Sequence, residues 1–525
     1  MKKSQLGILS KESIEGGVLM DSDLMQTNEP LAADLQENIH KMKQRMGNST
    51  DVIVREIKLG MMDVKACVIF IDGLIDSNAV NDFVLESLMI KNDYLSSDEL
   101  KSEGNVLQYL KDYLLTTTGV KHDVVDFNGM FHSMLSGSVI LLMDGYLSGF
   151  SISMSGWKER GITEPTSETV IRGPKEGFTE NLRANTAMIR RKIKSPNLWL
   201  ETIQIGSLTQ TDVAILYING VANEKIVDEV LSRLKRIDID GILESNYIEE
   251  LIQDEAKTPF PTVFNSERPD VIAASLLEGK VAILVDGTPY VLVVPALFVS
   301  FIHSAEDYYH RADIGSLIRL LRYLGIFIAL FAPSIYVAVT TFHIEMIPRT
   351  LLGSLTAQRE GVPFPAFIEA MLMEITFEIL REAGIRMPRN IGQAMSIVGS
   401  IVLGTAAVEA GLISPAMVIV VSITAVANFV IPSNDMAISI RLMRFPFIFL
   451  GASFGLYGIS LGFVALVLHL SSLRSFGVPY LSPFAPFDLQ GQKDGLLRAP
   501  IRSMIFRPKL IARHNLMRQR VRPPK

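Results

Sequence analysis

Thr350–Pro388, TLLGSLTAQREGVPFPAFIEAMLMEITFEILREAGIRMP, lies between strongly apolar runs and is too polar to be one of them. From Phe364 to Ala383 it reads as a helix of membrane-spanning length, yet it carries Glu369, Glu374, Glu378 and Glu382. Its Leu, Ile and Phe residues each favour insertion by roughly 0.3–0.6 kcal/mol, about 4 kcal/mol together. One acidic side chain near mid-membrane costs about 3 kcal/mol, so Glu374 and Glu378 alone cancel that gain. Such a helix does not face lipid by itself. Either it lies in the interface as an amphipathic or re-entrant segment (363–383), or it lines water inside a bundle or oligomer.

The surrounding chain points to a membrane protein with a large aqueous part. Of 525 residues, 48% are hydrophobic and only 20% charged, with a net charge of −6. Residues 1–310 have the composition of a soluble, acidic protein, 320–470 is dominated by apolar runs, and the end is basic. The fold class expected is a soluble α/β N-terminal region of two related subdomains, followed by an all-α multi-span membrane domain. The single cysteine, Cys67, excludes an intramolecular disulfide and a thiolate metal site. MKKSQLGILSKESIEGG at the start lacks the apolar core of a signal peptide, so the first domain is expected in the cytoplasm.

Residues 1–50 read as a disordered, variable lead with one short helix near Leu31–Met46. An internal duplication follows. CVIFIDG (Cys67–Gly73) matches AILYING (Ala214–Gly220), and SGSVILLMDG (Ser136–Gly145) matches EGKVAILVDG (Glu278–Gly287), in the same order at nearly the same offset. Two α/β subdomains are expected, 51–155 and 196–310. The Asp-Gly and Asn-Gly endings are tight turns rather than phosphate sites, since no Gly-rich loop or His/Cys cluster accompanies them. Between the subdomains, 156–195 is a linker and a basic helix (Thr179–Lys194) read as a solvated face or a contact surface. Nucleic acid is not an expected partner, because the domain is acidic and has no reading module.

The membrane domain is expected over 315–475, with clear spans at 320–342, 391–410, 412–432 and 445–470. Arg311, Arg319 and Arg322 place the start of the first span inside, and Pro333 is a candidate kink. Gly451, Gly455, Gly458 and Gly462 suggest close approach to another helix. The tail, 476–525, carries ten Lys and Arg from Lys493 onward against Asp494 and is a cytoplasmic marker. Charge rules then conflict. If 363–383 crosses, Arg441 and Arg444 fall inside, and the tail returns inside only through a further passage or a re-entrant turn in 445–470; if it does not cross, the tail is inside but those arginines are not.

No enzyme constellation emerges, and no cofactor is implied. His343 and Glu345 lack a third ligand, which makes interface polarity the better account. Gln393, Ser396, Ser400, Gly404 and Ala407 recur at steps of three and four, giving one small, mildly polar face. It serves either tight helix packing or a water-facing pore wall in an oligomer. Glu374, Glu378 and Glu409 are candidates for acidic rings that concentrate cations, with Arg381 neutralising part of the charge.

TAQREGVPFPAFIEAMLMEITFEILREAGIRMPRNIGQAMSIVG, VEAGLISPAMVIVVSITA and SLRSFGVPYLSPFAP resemble the membrane part of the GerA family A-subunits of spore nutrient germinant receptors. RGPKEGFTENLRANTAMIRRKI, IDGILESNYIEELI, PFPTVFNSERPDVIAASLLEGKVAILVDG and EDYYHR are similar to signatures of its soluble part. The resemblance runs from about residue 50 to 510. It implies a multi-pass subunit in the spore inner membrane, working with a B-type germinant-binding membrane subunit and a C-type lipoprotein. It also implies self-assembly, as a pentamer, into a germinant-gated cation channel, for which Gln393–Ala407 is the pore-lining candidate. A non-conducting scaffold subunit and a sporulation-stage paralogue share the architecture.

Overall fold

The computed structural model describes residues 29–59, 64–82, 120–154, 156, 165, 168–386, 404–512 and 515–519. Its N-terminal part holds two five-stranded antiparallel sheets. The first comprises β1 (Val52–Leu59), β2 (Val64–Ile71), β3 (Val120–Val124), β4 (Ser138–Met143) and β5 (Gly149–Ser153), in the order β1-β2-β4-β5-β3. The second comprises β6 (Leu198–Ile205), β7 (Thr211–Ile218), β8 (Phe264–Ser266), β9 (Val281–Val285) and β10 (Val291–Val294), in the order β6-β7-β9-β10-β8. The central strands β4 and β9 are buried along their whole length, which is why they read as unbroken apolar runs rather than alternating ones.

Helices α1 (Leu35–Arg45), α2 (Ser77–Asp82) and α3 (Phe127–Met134) accompany the first sheet; α4 (Leu182–Lys192), α5 (Glu224–Lys235), α6 (Ser245–Ile252) and α7 (Pro269–Leu277) accompany the second. The turns after β4 and β9 show what their Asp-Gly pairs do. Asp144 accepts a hydrogen bond from Leu35 N at the start of α1, 3.2 Å, and Asp286 accepts one from Leu182 N at the start of α4, 3.0 Å. Gly145 and Gly287, at φ 86° and 92°, donate to Ala33 O and Glu180 O. The carboxylates satisfy helix-terminal N–H groups that would otherwise lack partners, and the glycines supply the positive φ.

The helix expected near Leu31–Met46 is α1, and its Leu35, Ile39 and Met42, with Met46 beyond its end, form a stripe buried beneath the first sheet. The basic helix α4 is not mainly a solvated face: Leu182 and Asn185 to Arg190 are buried, and it stands to the second sheet as α1 stands to the first. Arg190 of α4 is fully buried, with Nε and Nη2 2.7 and 2.9 Å from Asp51 and Nη1 bonded to Leu198 O. Together with the bond from Trp199 Nε1 to Arg45 O, this pair ties the two halves together.

The C-terminal part is helical. Short α8 (Glu306–Tyr309) leads into α9 (Ala312–Phe342), α10 (Arg349–Arg359), α11 (Ala366–Arg386), α12 (Gly404–Glu409), α13 (Pro415–Phe429) and α14 (Asn434–Ser472). Among the described residues, α9 and α14 are long and apolar enough to cross a membrane. The helix of α9 continues through Pro333.

The run 445–470 is not one straight passage. At Gly455 the backbone leaves helical geometry (φ 63°, ψ −147°), a region open essentially to glycine alone. The chain reverses there. Phe331 stacks on both Phe447 and Phe463, and Ser439 and His469 both bond to the 258–259 segment. Gly458 and Gly462 let the returning limb lie against Leu450 and Phe447, and Gly451 lies against the Ser334 carbonyl of α9. His343, just past α9, accepts a hydrogen bond from Leu456 N at the start of the returning limb, 3.2 Å, so it is a cap rather than half of a metal pair. The tail then packs on the second sheet's subdomain, with Ser475 Oγ on Thr262 O, Phe298 N on Tyr480 O and Arg507 Nε on Leu277 O.

Candidate functional site

The acid-bearing helix α11 lies against α9, α13 and α14. Its N-terminal Glu369 is buried and accepts from Ser414 N (2.9 Å) and Ser414 Oγ (2.7 Å), with Arg359 at 3.4 Å. This satisfies the N–H of Ser414, the residue that leads into α13, which would otherwise be bare inside the bundle. One turn further on, Glu374 is buried in an ion pair with Arg444 of the outgoing limb of α14, and Arg444 Nε donates to Ala329 O of α9, 2.7 Å. Next, Glu378 pairs with Arg381 at 2.6 Å and has Arg441 at 3.7 Å. Later acids on α11 meet earlier arginines on α14, so the two run antiparallel.

The sequence expectations divide accordingly. Glu374 and Glu378 do not stand as bare ring carboxylates: arginines of the same protomer neutralise them. Arg441 and Arg444 are not flanking topology markers but buried counter-charges inside the bundle. A charge desolvated among apolar helices persists only with a partner, and each acid has one. Glu409 remains exposed at the end of α12. Gly404 is buried, a Cβ placed there would meet Val418 of α13 at 3.7 Å, and Ala407 packs on the cluster around Val337, Met417 and Val421. Gln393, Ser396 and Ser400 lie outside the described residues.

A second polar knot, unforeseen from the sequence, joins the α/β part to the first turns of α9. Asp307 is buried between Arg319 and Arg322, at 3.2 and 2.8 Å, while Arg319 also holds Asp494 of the tail at 3.0 Å. Tyr308 OH donates to the same Asp494, 2.8 Å. Arg319 and Arg322 are therefore interior ties, whereas Arg311 stays exposed beside Asp313. Beside them His303 is half-buried with its Nε2 enclosed, and desolvation together with the Arg319 charge pushes its imidazole down to about 3, so it is neutral. A third junction links α6 to the start of α14 through Asn265, which donates to Asp435, 2.7 Å. There burial and the Asp435 charge push Glu249 up to about 8, against a hydrogen bond from Asn265. Among the described residues no cluster of His, Cys, Asp or Glu is suited to a metal ion.

The family described as Bacillus/Clostridium GerA spore germination protein matches residues 40–510. Spore germination protein KA of Bacillus subtilis (strain 168) is 50% identical over 490 residues, covering 93% of this chain and 89% of that protein. The uncharacterized membrane protein YfkQ of the same organism is 42% identical over 486 residues, covering 93% of each. The crystal structure of the N-terminal domain of the A subunit of the Bacillus megaterium spore germinant receptor GerK3 is 40% identical, covering 52% of this chain and 99% of that one, with a TM-score of 0.41.

Proposed function

We infer, from the premise that this chain belongs to the Bacillus/Clostridium GerA spore germination protein family, that it is the A-subunit of a spore germinant receptor and works there as a germinant-gated cation channel. The match carries the first half of this reading: it runs through the α/β part and the helical part alike. Phe260, Phe301, Leu330, Met436 and Tyr480 join those two parts in one core. In the spore inner membrane, α9, α11, α13 and the two limbs of α14 form the embedded bundle, with the α/β part and the tail together on the cytoplasmic side. A B-type membrane subunit binds the germinant, a C-type lipoprotein completes the receptor, and several copies of this chain, five on the family model, surround the ion path.

The acids of α11 being paired, the pore wall falls to the Gln393, Ser396 and Ser400 part of the expected face, with exposed Glu409 at its mouth, while Gly404 and Ala407 serve the packing of α12 inside the protomer. Germinant binding biases a closed–open equilibrium through the junctions at Asp307 and Asn265. Bulky replacements at Ser396 or Ser400 are expected to alter cation release during germination in spores that keep normal amounts of the protein. Unchanged release at every position of that face would remove the channel assignment. One observation favours a second reading, a non-conducting scaffold: the internal neutralisation of Glu374 and Glu378 is what a purely structural bundle needs.

A further inference from the structure

The tail segment 484–502 runs beside the first turns of α9. Arg498 N donates to Ser316 Oγ at 3.1 Å, and Tyr323 OH donates to Gly495 O at 3.2 Å, with the Tyr323 ring against Phe484. Counting back from Phe342 at about 1.5 Å per residue, Leu324–Phe342 spans roughly 28 Å, close to the hydrocarbon thickness of a bilayer. Ser316 to Tyr323 then falls at headgroup level, and the tail beside it falls there too.

What this segment exposes fits that place. Phe487 is 69% exposed and Leu489 74%, with Leu497 and Ile501 also open. On α9 the neighbouring turns expose Leu317, Leu320, Leu321 and Leu324 at helical spacing, so the bare apolar surface continues from the span onto the same level. The segment's two acids already have partners within the chain, Asp488 the N–H groups of Gln490 and Gly491 in a local turn, and Asp494 the side chains of Arg319 and Tyr308. Its cations Lys493 and Arg502 are exposed. Apolar side chains beside outward cations, with both acids already hydrogen-bonded within the chain, suit an anionic lipid surface.

We propose that residues 487–502 lie in the lipid interface, Phe487, Leu489 and Leu497 reaching the acyl chains and Lys493 and Arg502 holding anionic phospholipid headgroups. The tail is thereby a monotopic anchor that clamps the cytoplasmic end of α9. This rests on the membrane reading above, and the test separates the two. Tryptophan is placed singly at Leu489, at Leu497 and, as a reference inside the span, at Phe463 of the full chain in nanodiscs containing acyl-brominated phosphatidylcholine, with or without phosphatidylglycerol. The unsubstituted protein supplies the background. All three reporters are expected to be quenched, the tail pair at least two-fold more strongly with phosphatidylglycerol present, a gain that Lys493→Glu with Arg502→Glu removes. A quenched Phe463→Trp with both tail reporters unquenched overturns the anchor alone and leaves that face to protein or water. Tail quenching indifferent to phosphatidylglycerol overturns the headgroup contact. Three unquenched reporters overturn the membrane reading and the anchor with it.

Discussion

Glu374 on α11 and Arg444 on the outgoing limb of α14 form a buried ion pair, and Arg444 is held in turn by the Ala329 carbonyl of α9. Three helices thus converge on one neutralised charge. The acid-rich segment can enter an apolar layer because its counter-charge arrives with the neighbouring helix. Glu374→Ala leaves Arg444 buried and unpaired, and is expected to destabilise the protein by about 3–5 kcal/mol. Replacing both, as Glu374→Leu with Arg444→Met, is expected to lose clearly less, since no charge remains uncompensated. Denaturation midpoints of detergent-solubilised protein check both.

At Gly455 an alanine Cβ would lie 2.8 Å from His343 Nε2, on a backbone that side chains rarely adopt. Gly455→Ala is expected to cost about 1–3 kcal/mol, and His343→Ala about 1 kcal/mol through loss of the cap. The physical consequence is a loosened reversal. A cysteine at Tyr457, which is 71% exposed, should react faster with a membrane-impermeant maleimide in the Gly455→Ala background.

Arg190 and Asp51 hold the two α/β halves together from full burial. Arg190→Ala is expected to cost about 3–5 kcal/mol, more than any exposed ion pair of the same domain, such as Lys235 with Glu201. Limited proteolysis should then cut between the halves before either half is degraded.

The Glu249 carboxyl is raised above its ordinary range by burial and by Asp435, with Glu244 and Glu250 adding in the same direction and Asn265 opposing. The folded protein therefore holds a proton that the unfolded chain releases at lower pH. This contribution to stability is complete below about pH 4.5 and is lost as pH rises through about 8. Glu249→Gln should match the parent protein near pH 5 and become the more stable of the two above pH 8, as melting temperatures across that range would show.

Much of the α/β part was legible because four inner strands, β2, β4, β7 and β9, are largely buried and end in Asp-Gly or Asn-Gly, so that apolar runs and turns punctuate each other. The helix Leu35–Arg45 was visible in its apolar period, but its place under the first sheet was not, since Asp144, which holds its first N–H, is 109 positions away. The same limit hid the central pair. The acids of α11 announced themselves by composition, whereas their partner Arg444 lies 70 positions on and reads like a topology marker. Glycine spacing in α14 signalled close approach, but only backbone geometry distinguishes a packing glycine such as Gly451 from the reversing Gly455.

The most direct test exchanges the central charges, Glu374→Arg with Arg444→Glu, in protein reconstituted into vesicles and read by monovalent-cation flux. If the pair is an internal lock and the ion path runs along the Gln393–Ser400 face, each single change impairs folding, the exchange restores it, and cation flux returns with unchanged selectivity. A well-folded exchange variant that has lost cation flux, or has turned anion-selective, would put Glu374 on the ion path and contradict the account.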